Sequence, residues 1–108
     1  MAWLSCPYLG GDVEWTEERE QHVAEQHPDL LPAHRDKVAQ TLLDPDGIRH
    51  SARFGSARLF SRWYADVRDG KHVVVVVVSG PSDDARHWVI TAYISRRLSR
   101  GDVEWSRS

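Results

Sequence analysis

One stretch decides the fold: Lys71-His72-Val73-Val74-Val75-Val76-Val77-Val78-Ser79-Gly80. Its six consecutive valines are β-branched, which disfavours a helix and favours a strand. Because side chains alternate along a strand, three valines point to each side, and both faces of this strand have to be covered. Burial of one valine side chain is worth about 1.5–3 kcal/mol. We therefore expect this stretch to be the central strand of a sheet.

The length and composition of the chain indicate one ordinary globular domain. Its 108 residues suit a single core, so one domain is predicted over 1–108. Cys6 is the single cysteine, which excludes an internal disulfide and leads us to expect a cytoplasmic protein. The sequence shows no signal-peptide pattern and no apolar stretch of membrane-spanning length. No metal-ligand spacing stands out, so we predict neither a metal nor another cofactor.

Charge is distributed unevenly along the chain. Residues 1–47 hold three basic and ten acidic residues, a net charge of −7, and residues 48–108 hold eleven basic and six acidic residues, a net charge of +5. A basic half of this kind is compatible with a localised phosphate site, and its predominance of arginine favours bidentate contacts. Solvated surface charge is the alternative interpretation.

Two helices are predicted before the strands. Thr16 can cap the first, which runs to His27, and the second starts within residues 29–32 and ends at the turn 44–47. Residues 1–11 are predicted to be irregular. After the helices, strands are expected on both sides of the valine stretch. The prediction is an α+β domain in which two N-terminal helices pack on one face of a four-stranded antiparallel sheet.

Polar side chains are concentrated on the predicted sheet. Alternation places Arg58, Arg62 and Tyr64 on one face of their strand, and Thr91 and Tyr93 on one face of another. If the two sets share a side, they surround a phosphodiester with two guanidiniums and three hydroxyls. Arginines would neutralise the transition state and hydroxyls would donate to its oxygens. A solvated, arginine-rich face is the alternative interpretation.

The five-residue string Gly-Asp-Val-Glu-Trp occurs twice, at 11–15 and at 101–105. Five residues do not make a repeat architecture. The two copies could be edge strands, and we interpret their identity as coincidence rather than as a sign of mutual pairing.

His27 shares a helical stripe with Val23 and is expected to point inward. A histidine or a tyrosine at the site could act as general acid or base. A packed, hydrogen-bonded histidine is the alternative interpretation.

The order of these signals resembles a known family. The motif His22-Val23-Ala24-Glu25-Gln26-His27-Pro28 precedes Asp44-Pro45-Asp46, the arginine-containing strand, the valine stretch and Val89-Ile90-Thr91-Ala92-Tyr93. From residue 13 to residue 105 the chain resembles the phage and bacterial nuclease domains grouped with barnase, EndoU, colicin-type RNases and RelE-type toxins, called the BECR fold.

The resemblance implies a fold of N-terminal helices followed by a four-stranded antiparallel sheet. It also implies metal-independent RNA cleavage, in which the ribose 2′-hydroxyl attacks the adjacent phosphate and leaves a 2′,3′-cyclic phosphate. The catalytic residues expected on this basis are His22, His27, Arg58, Arg62, Thr91 and Tyr93. The residues expected to bind substrate are Tyr64, Lys71 and Arg53.

Three hypotheses about function follow. The first is a small toxin-type endoribonuclease whose partners are RNA and a cognate antitoxin or immunity protein. The second is a catalytically inert RelE-like module that binds a protein or RNA with its sheet face. The third is an antitoxin or immunity protein, which the acidic N-terminal half would suit.

Overall fold

A computed structural model describes residues 1–52, 56–80, 86–98 and 101–107. Arg53, predicted to bind substrate, lies outside these residues. Within them the strands are β1 Ala2–Cys6, β2 Gly11–Trp15, β3 Gly47–His50, β4 Ala57–Tyr64, β5 Lys71–Ser79, β6 His87–Ser95 and β7 Val103–Ser106. The α-helices are α1 Glu17–Gln26 and α2 Arg35–Leu43, and Pro7–Leu9 forms a 3-10 turn.

The seven strands of the described chain form one mixed sheet in the order β1-β2-β6-β5-β4-β3-β7. The valine strand β5 occupies the middle position, with three strands on either side. Its neighbours β4 and β6 both run antiparallel to it, as expected for a meander. Only the pairing of β2 with β6 is parallel among the strand pairs of the described residues.

The predicted architecture of two N-terminal helices on a four-stranded antiparallel sheet is therefore wrong. Residues 1–11, predicted to be irregular, contain β1 and the 3-10 turn, and β1 pairs with β2 along its whole length. Buried Leu4 and Cys6 alternate with exposed Trp3 and Ser5, a strand pattern too short to be recognised next to Pro7. The C-terminal copy of Gly-Asp-Val-Glu-Trp adds β7.

The two Gly-Asp-Val-Glu-Trp copies do not pair with each other. β2 lies between β1 and β6, whereas β7 pairs with β3 at the far edge of the sheet. Their identity therefore has no role in the strand pairing that the structure describes.

The first helix agrees with its prediction. Thr16 caps it, since its hydroxyl accepts a hydrogen bond from the backbone N–H of Arg19 at 3.2 Å, and His27 is the C-cap. The second helix begins at Arg35, later than predicted, because residues 28–34 form turns in which the N–H of His34 bonds to the carbonyl of Leu30.

The N-terminal hairpin folds back over the sheet. β2 pairs with β6 at one residue pair, Glu14 with Trp88. The rest of the hairpin can therefore leave the plane of the sheet. Tyr8, in the turn between β1 and β2, reaches the opposite edge, where its ring lies 6.2 Å from both Phe60 and Trp105. The hairpin and the two helices therefore cover the same sheet face.

Both faces of the valine strand are buried, as the sequence predicts. Val73, Val75 and Val77 contribute to the core formed with the helices and the hairpin. Val74 and Val76 point to the opposite face, and they are only 1% and 7% exposed. Flanking side chains of β4 and β6 cover that face, which carries no helix in the described part of the chain.

We expect Val75→Ala to lower the free energy of unfolding by about 2 kcal/mol, because Val75 is fully buried at the centre of the core. Urea denaturation monitored by tryptophan fluorescence measures the loss. Val78→Ala is the matched control, since Val78 is half-buried near the end of the same strand. Equal losses in the two variants would contradict this account of the core.

Candidate functional site

The strand register separates the polar residues that alternation grouped together. Arg62 pairs with Val73, which pairs with Ile94, whereas Tyr93 pairs with Val74. Directly paired residues share a face and successive residues alternate. Arg58, Arg62 and Tyr64 therefore face the helices and hairpin, and Thr91 and Tyr93 lie on the opposite face. The predicted convergence of the two sets on one surface is wrong.

A β-bulge in the pairing of β5 with β6 changes which residues of β6 share a face. The register shifts between Val76 and Val77, where Val76 pairs with Thr91 and Val77 pairs with Val89. Simple alternation assigns His87 to the face of Thr91. The bulge moves His87 to the face of Arg58, opposite Ser79.

The histidines predicted for catalysis lie near β6. The rings of His27 and Tyr93 have centroids 6.0 Å apart at a tilt of 40°. His27 is half-buried at the end of α1, His22 is exposed on that helix, and Thr91 is half-buried on β6. The structure thus brings His27 to Tyr93, and the catalytic roles of all four residues stay predictions.

Three other residues with predicted roles form hydrogen bonds to backbone carbonyls of the protein itself. Arg62 donates to the backbone carbonyl and the carboxylate of Asp44 at 2.9 Å each, at the end of α2. Tyr64 is buried, and its hydroxyl bonds with Thr41 and with the carbonyl of Lys37. Lys71 donates to two carbonyls of its own hairpin loop. Their predicted roles with substrate stay predictions.

A different constellation forms around Arg58, between the 3-10 turn and the end of the sheet nearest to it. We call it the Arg58 cluster. Its members come from β3, β4, β5, β6, β7 and the turn that follows β1, and they are Tyr8, His50, Arg58, Ser79, His87 and Glu104. The curvature of the sheet and the folded-back hairpin bring them together.

Glu104 is the acidic centre of the Arg58 cluster. It lies at an irregularity in β7, where the register with β3 shifts. Arg58 Nε donates to both carboxylate oxygens at 3.0 and 3.1 Å, and the Tyr8 hydroxyl donates at 2.6 Å. His50 Nε2 lies 2.6 Å from Oε1. The 3-10 turn, β3, β4 and β7 therefore meet at one carboxylate.

These contacts fix the charge state of the carboxylate and the phenol. Burial acts to raise the pKa of Glu104, but the hydrogen bonds from Tyr8 and Arg58 outweigh it, and the net result is a lowered pKa. The hydrogen bond to Glu104 raises the pKa of Tyr8. At neutral pH the cluster therefore holds a carboxylate and a protonated phenol.

A serine and a histidine lie on the other side of Arg58. Ser79 Oγ and His87 Nδ1 are 2.6 Å apart, and Arg58 donates from a terminal nitrogen to the same hydroxyl at 3.4 Å. Burial, assisted by the charge of Arg58, lowers the pKa of His87. His87 is consequently neutral at physiological pH. In the tautomer with the proton on Nδ1, its Nε2 keeps a lone pair that can accept a proton.

The cluster is partly accessible to solvent. The side chain of His50 is 47% exposed and that of Arg58 is 28% exposed, whereas that of Glu104 is 16% exposed. A guanidinium, a neutral imidazole and a carboxylate-bound imidazole can together stabilise an anion and move protons at either side of it.

Sequence reasoning identified Arg58 and missed the other five members. Glu104 lies inside the Gly-Asp-Val-Glu-Trp string, whose duplication drew attention without indicating chemistry. His50 and His87 carry no motif. His50 lies beside Arg58 because β3 pairs with β4, and His87 lies on the same face because the bulge in β6 places it opposite Ser79.

No group of three or more histidine, cysteine and acidic side chains is arranged to hold a metal ion within the described ranges. In the same residues, no helix combines the length and apolarity needed to cross a membrane. Comparisons of the chain with protein-family models, curated proteins and solved structures find no match. The resemblance to BECR nucleases therefore stays a prediction from sequence.

We expect Glu104→Gln to destabilise the protein at neutral pH and to have little effect in acid. The folded-state pKa of Glu104 is depressed, so its contribution is present above the unfolded-state value of about 4.3 and is lost as pH falls through the folded-state value. Urea denaturation across this range measures the difference. Glu18→Gln, at an exposed site on α1, is the control and should cost less stability at neutral pH. A Glu104→Gln effect independent of pH would contradict the assignment.

Proposed function

We propose that this protein is a small, metal-independent endoribonuclease of toxin type, and that the Arg58 cluster is its catalytic site. One observation carries the proposal: the guanidinium of Arg58 lies between the Glu104–His50 pair and the Ser79–His87 pair. Cleavage of RNA by its own 2′-hydroxyl needs a cation flanked by a proton acceptor and a proton donor. The cluster supplies all three.

His87 is the general base in this proposal. Its neutral Nε2 takes the proton of the ribose 2′-hydroxyl while the oxygen attacks the adjacent phosphorus. Ser79 holds the other ring nitrogen and sets the ring orientation. Arg58 stabilises the negative charge that develops on the non-bridging oxygens, through guanidinium N–H groups beyond the Nε that binds Glu104.

His50 is the general acid. Glu104 lies against its Nε2, so Nδ1 is the atom that protonates the departing 5′-oxygen as the phosphorus–oxygen bond breaks. The products are a 2′,3′-cyclic phosphate and a 5′-hydroxyl. The proton removed at one end of the reaction is balanced by the proton supplied at the other, and no metal is required.

In this proposal the protein acts as a toxin in the cytoplasm. The net charge of +5 in residues 48–108 supports binding of RNA, and an antitoxin or immunity protein would be needed to protect the host cell. A catalytically inert binding module is the second candidate, favoured by the engagement of Arg58 with Glu104 inside the protein. In that case the cluster would only fix β7 to the sheet.

We expect Arg58→Ala to reduce RNA cleavage in EDTA by about a hundredfold or more, since it removes the charge that stabilises the transition state. Arg62→Ala is the matched control, because both arginines lie on the same face of β4 and each binds one carboxylate. It should retain cleavage. Absence of cleavage by the unsubstituted protein, with cluster variants changing only thermal stability, would favour the inert module.

The variants His27→Ala, His50→Ala and His87→Ala separate two sites. The resemblance to BECR nucleases assigns proton transfer to His27, whereas the Arg58 cluster assigns it to His50 and His87. We expect His50→Ala and His87→Ala each to lower cleavage at least about a hundredfold, and His27→Ala to retain it. The reverse pattern would move the catalytic site to the His27–Tyr93 pair.

The pH dependence of cleavage tests the identity of the base. His87 must be neutral to act, and burial lowers its pKa, so the acid limb of the rate profile should lie below the ordinary histidine value of about 6.5. Initial rates on a defined oligoribonucleotide measure this limb. An acid limb centred above the ordinary histidine value would exclude His87 as the base.

A further inference from the structure

A small hollow lies on the sheet face opposite the helices, above β3. We call it the β3 hollow. Its volume is about 120 Å³, roughly that of four water molecules in the liquid, which suits one planar heterocycle. The residues that line it include Gly47, Arg49, Ser61, His72 and Val103.

The floor of the hollow depends on a glycine. Gly47 pairs with Ser61 of β4 and with Ser106 of β7, so its missing side chain leaves space on the face that Ser61 shares. A Cβ built at Gly47 would meet its nearest atoms at 3.6 and 3.9 Å, in ordinary contact with Trp105 O and Ser61 Oγ. The space is therefore open to a ligand, and it tolerates an added methyl group.

An aromatic wall adjoins the hollow. The Trp63 ring lies 5.1 Å from the ring of His72 at an angle of 70°, and it is 48% exposed. Gly70 leaves room for the indole, because a Cβ at that residue would come within 2.5 Å of it. The backbone N–H of Trp63 also donates to Asp46, another lining residue. The indole thus offers a solvent-facing aromatic surface of the kind on which bases stack.

The hollow and the Arg58 cluster use alternate residues of the same two strands. Arg49 and Val103 line the hollow, whereas the neighbouring His50 and Glu104 belong to the cluster. Consecutive Cα atoms are about 3.8 Å apart. A single nucleic-acid strand that passes over the β7 edge can therefore reach both sites.

We infer that the β3 hollow and Trp63 form a subsite for one nucleobase of a single-stranded nucleic acid. The inference rests on the proposed function for the identity of the natural ligand, RNA. Its chemistry is independent of cleavage, because stacking on Trp63 and filling of the hollow need neither the 2′-hydroxyl nor the Arg58 cluster. A planar base fits a narrow space with an aromatic wall, and His72, Ser61 and Arg49 provide polar groups at its edge.

Binding of a hexadeoxyadenylate tests the subsite, since this oligonucleotide lacks the 2′-hydroxyl and cannot be cleaved by the proposed chemistry. Fluorescence anisotropy of the labelled oligonucleotide gives the affinity. Trp63→Ala should weaken binding about tenfold, and Trp63→Phe should restore most of it. Gly47→Val should weaken binding by a similar factor because its side chain fills the hollow. Trp3→Ala, at an exposed indole on β1, should have no effect.

Adenosine 5′-monophosphate and ribose 5-phosphate separate base recognition from phosphate recognition. The nucleotide should quench tryptophan fluorescence, and the sugar phosphate, which carries the same charged group, should not. Thermal unfolding of each variant establishes that it is folded. Equal response to the two probes, or unchanged oligonucleotide binding by folded Trp63→Ala and Gly47→Val, would overturn the subsite. Subsite binding without RNA cleavage would refute the proposed function alone.

Discussion

The need to cover both faces of the valine strand governs the rest of the structure. A strand of six valines cannot leave either face in water without losing a large part of its stabilisation. On one face, two short helices contribute few buried side chains: Val23 from α1 and Val38 and Leu42 among those from α2. These side chains are too few to cover that face of the sheet alone. The N-terminal hairpin completes the layer with Leu4, Val13 and Trp15.

The folded-back hairpin has an electrostatic consequence. It carries Tyr8 across the sheet to β7, where Glu104 and Arg58 lie partly withdrawn from water. A withdrawn charge is costly unless it is paired and hydrogen-bonded. The carboxylate of Glu104 meets this requirement with donors from Tyr8 and Arg58 and with the nearby imidazole of His50. Packing of the hairpin therefore brings the polar groups of the cluster together and requires them to satisfy one another.

The local features of the fold could be read from the sequence. The valine strand, the Thr16-capped helix and the strands beside them follow from propensity, capping and alternation, which act over a few residues. The overall topology could not, because it depends on β1 and β7. Both are short: the alternation of β1 covers only two buried residues, and the sequence indicated the segment of β7 only as a candidate edge strand. Their places in the sheet are set by tertiary contacts such as Tyr8 with Trp105.

The candidate site was predictable only in part for the same reason. Alternation identified Arg58 and Arg62 as neighbours on one face of β4, which the register agrees with. It could not detect the bulge in β6, since one extra residue leaves no mark in the sequence but reverses the faces before it. His87 consequently joins Arg58, and Thr91 and Tyr93 are separated from it.

The edge formed by β3 and β7 carries residues of both the Arg58 cluster and the β3 hollow. Along each strand, one residue faces the Arg58 cluster and the next faces the β3 hollow: His50 follows Arg49, and Glu104 follows Val103. An edge strand leaves part of its backbone unpaired within the sheet, and its two faces are close in space. This edge can therefore present charge on one face and an aromatic surface on the other. A nucleic-acid strand that bends around this edge would then reach the hollow on one face and the cluster on the other. A single strand bends in this way more readily than a duplex.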